Sequence, residues 1–172
     1  MKKFLVLFFT ILITTGNCLA HTPLGKWENR ELKIYIEENR NAYLMKKAFG
    51  NWETSTNKLF EFEYVDKEED ADIAVKFVDT CNETAEHAVG LTYPYTDPNG
   101  KFLKARIEIA KYPEKGQMKI QNIMLLKIMR HEIGHALGLG HVDTPYSIMN
   151  PTVDKCLDIT KDDIKLIKEL YK

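Results

Sequence analysis

The stretch His131-Glu132-Ile133-Gly134-His135-Ala136-Leu137-Gly138-Leu139-Gly140-His141 constrains the fold of this chain more than any other. His131 and His135 are four positions apart, so on a helix they project from one face. Two imidazoles so placed can bind one zinc ion, and Glu132 beside them can serve as general base. Gly138 can take a positive φ, which lets the helix stop and the chain turn sharply. The turn can carry His141 back to the same metal as a third ligand. Three protein ligands leave the fourth tetrahedral position for water, which marks a catalytic rather than a structural zinc. The alternative is a helix end with solvated histidines and a glycine cap. At average composition such a match arises by chance on the order of one time in 100,000, so the metal reading leads.

The rest of the chain supplies elements that could position such a helix. Leu32, Ile34 and Ile36 alternate with Lys33, Tyr35 and Glu37, the period of a half-buried strand. Leu44, Met45, Ala48, Phe49 and Trp52 recur at helical spacing within residues 41–54 and predict a core stripe. Phe60, Phe62 and Tyr64 predict a second strand, and Ile73, Val75 and Phe77 a third. Residues 89–93 and 105–110 predict two more. Asp97-Pro98-Asn99-Gly100 between them reads as a turn; it could hold calcium through Asp97 and Asn99, but hairpin chemistry alone explains it. Residues 118–137 predict one long helix, with Ile120, Ile123, Met124, Leu126, Ile128 and Ile133 on its buried side. Thr160 caps a last helix, with Asp162 and Asp163 favoured in its first turn by the helix dipole. Strands interleaved with helices predict an α+β fold, a twisted mixed sheet with helices packed on it.

Met1-Lys2-Lys3 and the apolar run after them read as a signal peptide over residues 1–20. Cys18 and Ala20 are the small residues before a cleavage site at His21. The run is too short for a membrane span. A lipoprotein anchored through Cys18 is the alternative, although Asn17 is larger than a lipobox prefers. Residues 21–172 then form one domain, secreted or periplasmic. The leader carries Lys2 and Lys3, so its removal lowers the formal charge from −1 by two. No basic field remains, which argues against nucleic acid as a partner. Two mature cysteines, Cys81 and Cys156, could pair after export, but their spacing does not show whether they meet.

The eleven-residue motif resembles that of the metzincin clan of zinc endopeptidases, and Ser147-Ile148-Met149-Asn150-Pro151 resembles the methionine turn that follows it there. The resemblance is closest to matrixin catalytic domains. Gly25-Lys26-Trp27 looks like their start, Ala48 to Trp52 like their first helix, Ala71 to Phe77 like their third strand, and Ile159 to Tyr171 like their last helix. It implies five strands, three helices, and a cleft between an upper part ending at Gly138 and a small lower subdomain. It also implies Met149 as an apolar floor under the metal, an extended peptide lying along an edge strand around residues 105–110, and a pocket walled by residues 150–157. Asn150, Pro151, Thr152 and Val153 would line that pocket. The chain departs from the family pattern in three places. No PRCGxPD-type segment is present. Tyr93 and its neighbours stand where matrixins place a structural-zinc histidine, and His87 reads as a loop residue, so a second zinc is not expected. Pro151 stands where related clans carry a tyrosine ligand, so none is expected here.

The reading that follows is an exported, monomeric zinc endopeptidase acting on protein or peptide. His131, His135 and His141 would hold one catalytic zinc, and Glu132 would be the base. The competing reading is a metzincin-like binding module that holds a partner without cutting it; an intact Glu132 argues against it.

Overall fold

Alternating apolar residues build the strands as expected, and their inward faces define the core. β1 (Glu31–Ile36) buries Leu32 and Ile34, β3 (Ile73–Val78) buries Ile73, Val75 and Phe77, and β5 (Phe102–Ala110) buries Ala105, Ile107 and Ile109. The computed structural model describes residues 22–81, 88–111, 114–115, 118–119, 121–151 and 156–172. The leader with Cys18, and also His21, His87, Ile120, Thr152 and Val153, lie outside the described residues.

β2 (Glu61–Tyr64) and β4 (Gly90–Thr96) complete a five-stranded sheet in the order β2-β1-β3-β5-β4. β1 pairs in parallel with β2 and β3, β3 in parallel with β5, and β4 runs antiparallel to β5. The sheet is mixed, as expected. One placement differs: residues 105–110 lie in β5, between β3 and β4, so the edge strand on this side of the sheet is β4. Sequence alternation reports which face of a strand is buried and is silent on its neighbours, which is why the two strands were interchangeable beforehand.

α1 (Ala42–Ser55) and α2 (Asn122–Ala136) pack on one face of this sheet, and α3 (Lys161–Leu170) adds Ile167 to the same core. The whole α1 stripe is buried: Leu44, Met45, Ala48, Phe49 and Trp52. α2 corrects two expectations. It starts at Asn122 rather than at residue 118, because Gln121 is extended (φ −70, ψ 153); Met118–Lys119 (β7) instead ladders with Glu114–Lys115 (β6). Its inward face is Leu125, Leu126, Met129, Ile133 and Ala136, while Ile123 is half exposed. The helix is rotated relative to that expectation, which places two cations, Lys127 and Arg130, on its buried side.

Arg130 is buried because it is satisfied. Its Nε and Nη2 donate to Asn51 Oδ1 at 3.0 and 2.8 Å, and its Nη1 donates to Leu157 O at 2.7 Å. Asp158 lies 3.5 Å from Nη2. One guanidinium thus ties α1, α2 and the segment leading to α3, and Trp52 Nε1 adds a 2.9 Å bond to Arg130 O. Cys81 and Cys156 are both buried free thiols. The Asp97 turn joins β4 and β5 as expected; Asp97 Oδ1 accepts the Asn99 and Lys101 N–H groups at 2.8 and 2.9 Å, a hairpin role.

Candidate metal centre

α2 ends where the histidine motif requires. Gly138 has φ +105 and closes a Schellman motif: its N–H donates to His135 O at 2.9 Å, and Leu139 N–H donates to Gly134 O at 2.9 Å. The carbonyls left over at the helix end are met from both ends of the chain. Trp27 Nε1 donates to Ala136 O at 2.8 Å, and Tyr171 Oη donates to Leu137 O at 3.0 Å while accepting Trp27 N–H at 3.0 Å. A Cβ at Gly138 would lie 2.2 Å from Gly25 O, so no other residue fits. Sharp termination at this residue is what brings His141 back over the helix.

The three imidazoles converge. Their Nε2 atoms are 3.0 Å apart for His131–His135, 3.1 Å for His135–His141 and 3.3 Å for His131–His141. Zinc–nitrogen distances of about 2.0–2.1 Å in a tetrahedron place ligand nitrogens roughly 3.3–3.4 Å apart, close to this triangle. The far ring nitrogens are committed to main-chain carbonyls: His131 Nδ1 to Ile148 O at 2.7 Å and His135 Nδ1 to Leu139 O at 2.8 Å. Each such bond needs the proton on Nδ1 and so turns the Nε2 lone pair toward the common centre. Burial pushes His131 down to about 4, against the Ile148 bond that raises it, and burial also lowers His141. Neutral imidazoles are the form a metal needs. Donor set, spacing and tautomer all fit one zinc ion. Among the described residues these three form the group able to hold a metal. His131 is buried, His135 half-buried and His141 exposed, so the centre is open on one side.

Glu132 is buried, and burial pushes its carboxyl up to about 7 against a hydrogen bond from Thr92 that lowers it. Thr92 Oγ1 lies 2.7 Å from Glu132 Oε2.

Met149 is fully buried under α2; a Cβ on Gly134 would come within 2.3 Å of its Sδ. The turn that carries it is tethered to α3. Asp163, itself fully buried, accepts Ile148 N–H at 3.1 Å, Thr160 N–H at 2.8 Å and Thr160 Oγ1 at 2.7 Å, and Ser147 Oγ donates to its other oxygen. Since Ile148 O holds His131 Nδ1, Asp163 supports the same residue that orients this imidazole. Thr160 and Asp163 form a capping box; the Thr160 cap was expected from sequence, while the reciprocal bond to Asp163 and the tether were not. Asn150 is buried and donates to Val142 O at 3.4 Å, which braces the turn, while Pro151 is exposed. Sequence reasoning also missed Thr92 and Arg130, whose partners are distant in the chain.

Comparison with known proteins adds a family and a fold. The family model described as matrixin matches residues 26–172. Metalloendoproteinase 2-MMP of Arabidopsis thaliana is 30% identical over 142 residues, which cover 73% of this chain and 35% of that protein. Metalloendoproteinase 1-MMP of the same plant is 28% identical over an alignment of 183 residues, covering 93% of this chain and 48% of that protein. The chain therefore spans between about a third and a half of these relatives. The solved structure of myroilysin superposes with a TM-score of 0.57 over 84% of this chain and 81% of that one. At 14% identity this likeness speaks for the fold alone.

Proposed function

This chain belongs to the matrixin family, and from that premise we propose that it is a zinc-dependent endopeptidase. The carrying observation is the Nε2 triangle of His131, His135 and His141, with Glu132 held on the same helix. His131, His135 and His141 hold the metal. Zinc bound there supplies a Lewis acid that polarises a peptide carbonyl and brings water's pKa toward neutrality. Glu132 takes the proton of the attacking water on its carboxylate and passes it to the leaving amine. Met149 closes the apolar side of the site beneath Gly134.

The substrate is a protein or peptide in extended form, and it pairs with β4, the strand at the edge of the sheet. By likeness to the family, residues 150–157, which follow the methionine turn, are the candidate wall of the pocket beside the metal, with Pro151, Thr152 and Val153 the candidates for setting its preference, while Asn150 braces the turn. Residues 1–20 direct export, and residues 21–172 act as a monomeric catalytic unit outside the cytoplasm. Among the described residues no helix is long and apolar enough to cross a membrane.

The test is metal content and turnover of the purified protein. One zinc per chain is expected, with casein cleavage abolished by a chelator and restored by zinc. Glu132→Ala should retain zinc and fold but lose activity by several orders of magnitude, because base and transition-state contact disappear together. A stoichiometry near zero, or no cleavage of any peptide library by the zinc-loaded protein, would leave the binding-module reading in its place.

A further inference from the structure

β4 is antiparallel to β5, with Gly90 opposite Ile109 and Thr92 opposite Ile107. Ile107 and Ile109 are fully buried beneath α2, so the inner face of β4 presents Gly90 and Thr92 to the same helix. Both meet Glu132. Thr92 Oγ1 is 2.7 Å from Glu132 Oε2 and 3.0 Å from Glu132 O. A hydroxyl has one proton to give, and the shorter contact, to the carboxyl oxygen, is the stronger bond. At Gly90 the requirement is space: a Cβ there would stand 2.8 Å from Glu132 Cγ, 3.0 Å from Oε1 and 2.8 Å from Ile128 Cγ2.

We propose that Thr92 is a positioning residue for the Glu132 carboxylate, and that Gly90 keeps clear the volume this carboxylate occupies. The inference rests on Glu132 being the general base. A glutamate has three rotatable side-chain bonds, and removing that freedom before reaction is worth rate rather than affinity. Thr92 fixes Oε2 and thereby sets where Oε1 points. Gly90 prevents the strand from pressing the carboxylate out of line. Both controls come from the strand at the edge of the sheet, so a peptide paired to β4 is aligned by the same backbone that aligns the base.

The experiment compares kcat and KM of the zinc-loaded full-length protein on a quenched fluorescent peptide. The variants are Thr92→Val, Thr92→Ser, Gly90→Ala and Glu132→Ala, with zinc content and melting temperature measured for each. Valine keeps the shape of threonine and removes the donor. Thr92→Val should lower kcat roughly 10- to 100-fold, as loss of a supporting hydrogen bond does at metal sites, with KM and zinc content unchanged. Thr92→Ser should restore kcat to within a few-fold, a recovery that mere strand packing does not provide, since serine lacks the methyl. Gly90→Ala should lower kcat in the same way without any change of hydrogen-bonding groups. Wild-type kcat in Thr92→Val beside an inactive Glu132→Ala overturns the inference while leaving the base assignment standing. Turnover that persists in Glu132→Ala is the other failure: it removes the base assignment and this inference with it. Should Thr92→Val not fold, Gly90→Ala decides, and wild-type kcat there overturns the proposal.

Discussion

Gly134→Ala probes the fit between the helix that carries His131 and His135 and the turn beneath it. In an open helix this substitution stabilises by about 0.8–1.0 kcal/mol. Here the new Cβ would lie 2.3 Å from Met149 Sδ, 3.1 Å from its Cε and 3.2 Å from Trp52 Cζ2. Non-bonded contacts settle near roughly 3.5–4.0 Å, so the sulfur must withdraw by more than about 1 Å. It has little freedom. Met149 and Trp52 are fully buried, the Met149 N–H is held by Ser147 Oγ at 2.9 Å, and its carbonyl accepts Val142 N–H at 3.2 Å. Overpacking of this kind costs about 1–3 kcal/mol, which leaves a net loss of about 0–2 kcal/mol after the helix gain. The background therefore matters more than the single value. Met149→Ala costs about 2–5 kcal/mol by itself and opens the space the new methyl needs. In that background Gly134→Ala should stabilise by about 1 kcal/mol, so the double-mutant cycle should show a coupling of about 1–3 kcal/mol. Urea unfolding of metal-free protein in chelator measures all four species without the linkage that bound zinc adds, provided their m values agree. Equal stabilisation of both backgrounds by Gly134→Ala would refute the packing of Met149 against Gly134.

Three further outcomes follow from the same geometry. Asp163→Ala removes the acceptor of Ser147, Ile148 and Thr160 at a fully buried position; it should cost about 2–4 kcal/mol in urea unfolding, and a loss under about 1 kcal/mol would show the tether to be dispensable. Burial holds His131 at about 4 in the folded chain against an ordinary 6.5, so the unfolded chain binds the proton first. The stability from keeping it neutral is complete above the unfolded value and fades as pH falls from there toward the folded one. His131 thus contributes a loss of about 2 kcal/mol between pH 7 and 5, opposed over the same range by Glu132, whose raised carboxyl gains stability as it takes up its proton; the difference in pH slope between metal-free wild type and His131→Gln isolates the imidazole, and equal slopes would contradict the assignment. Cys81 and Cys156 are free, and burial pushes the Cys81 thiol up to about 12, aided by the nearby charges of Glu108 and Glu132. Without reductant, a chain lacking the leader should give a thiol reagent almost no reaction when folded and two thiols in denaturant, whereas none in denaturant would mean that the pair is bridged.

Elements governed by short-range geometry were readable from sequence. The α1 stripe was, because five apolar residues at helical spacing leave one face to bury. The Thr160 cap was, because an N-cap depends only on the residue type at a helix start and the turn that follows it. The phase of α2 was misread: Ile123 was expected inside and is half exposed, while Lys127 and Arg130 are buried. Arg130 is inside because Asn51 and the Leu157 carbonyl await it, 79 and 27 residues away. The start of α2 was misread because Met118 and Ile120 continue its apolar period, while the extended Gln121 breaks it.

The motif alone determined that two histidines share a helix face, that the helix stops at Gly138, and that a third histidine returns, because each is a matter of a few residues' backbone geometry. Tertiary structure decided everything that turns this triangle into a poised site. Ile148 O orients His131 from 17 residues away, Thr92 reaches Glu132 across 40, and β4 rather than β5 takes the edge. Those choices depend on which surfaces meet when the sheet, two helices and the methionine turn close on one core. Periodicity along a chain records that a side chain is buried, not what it is buried against.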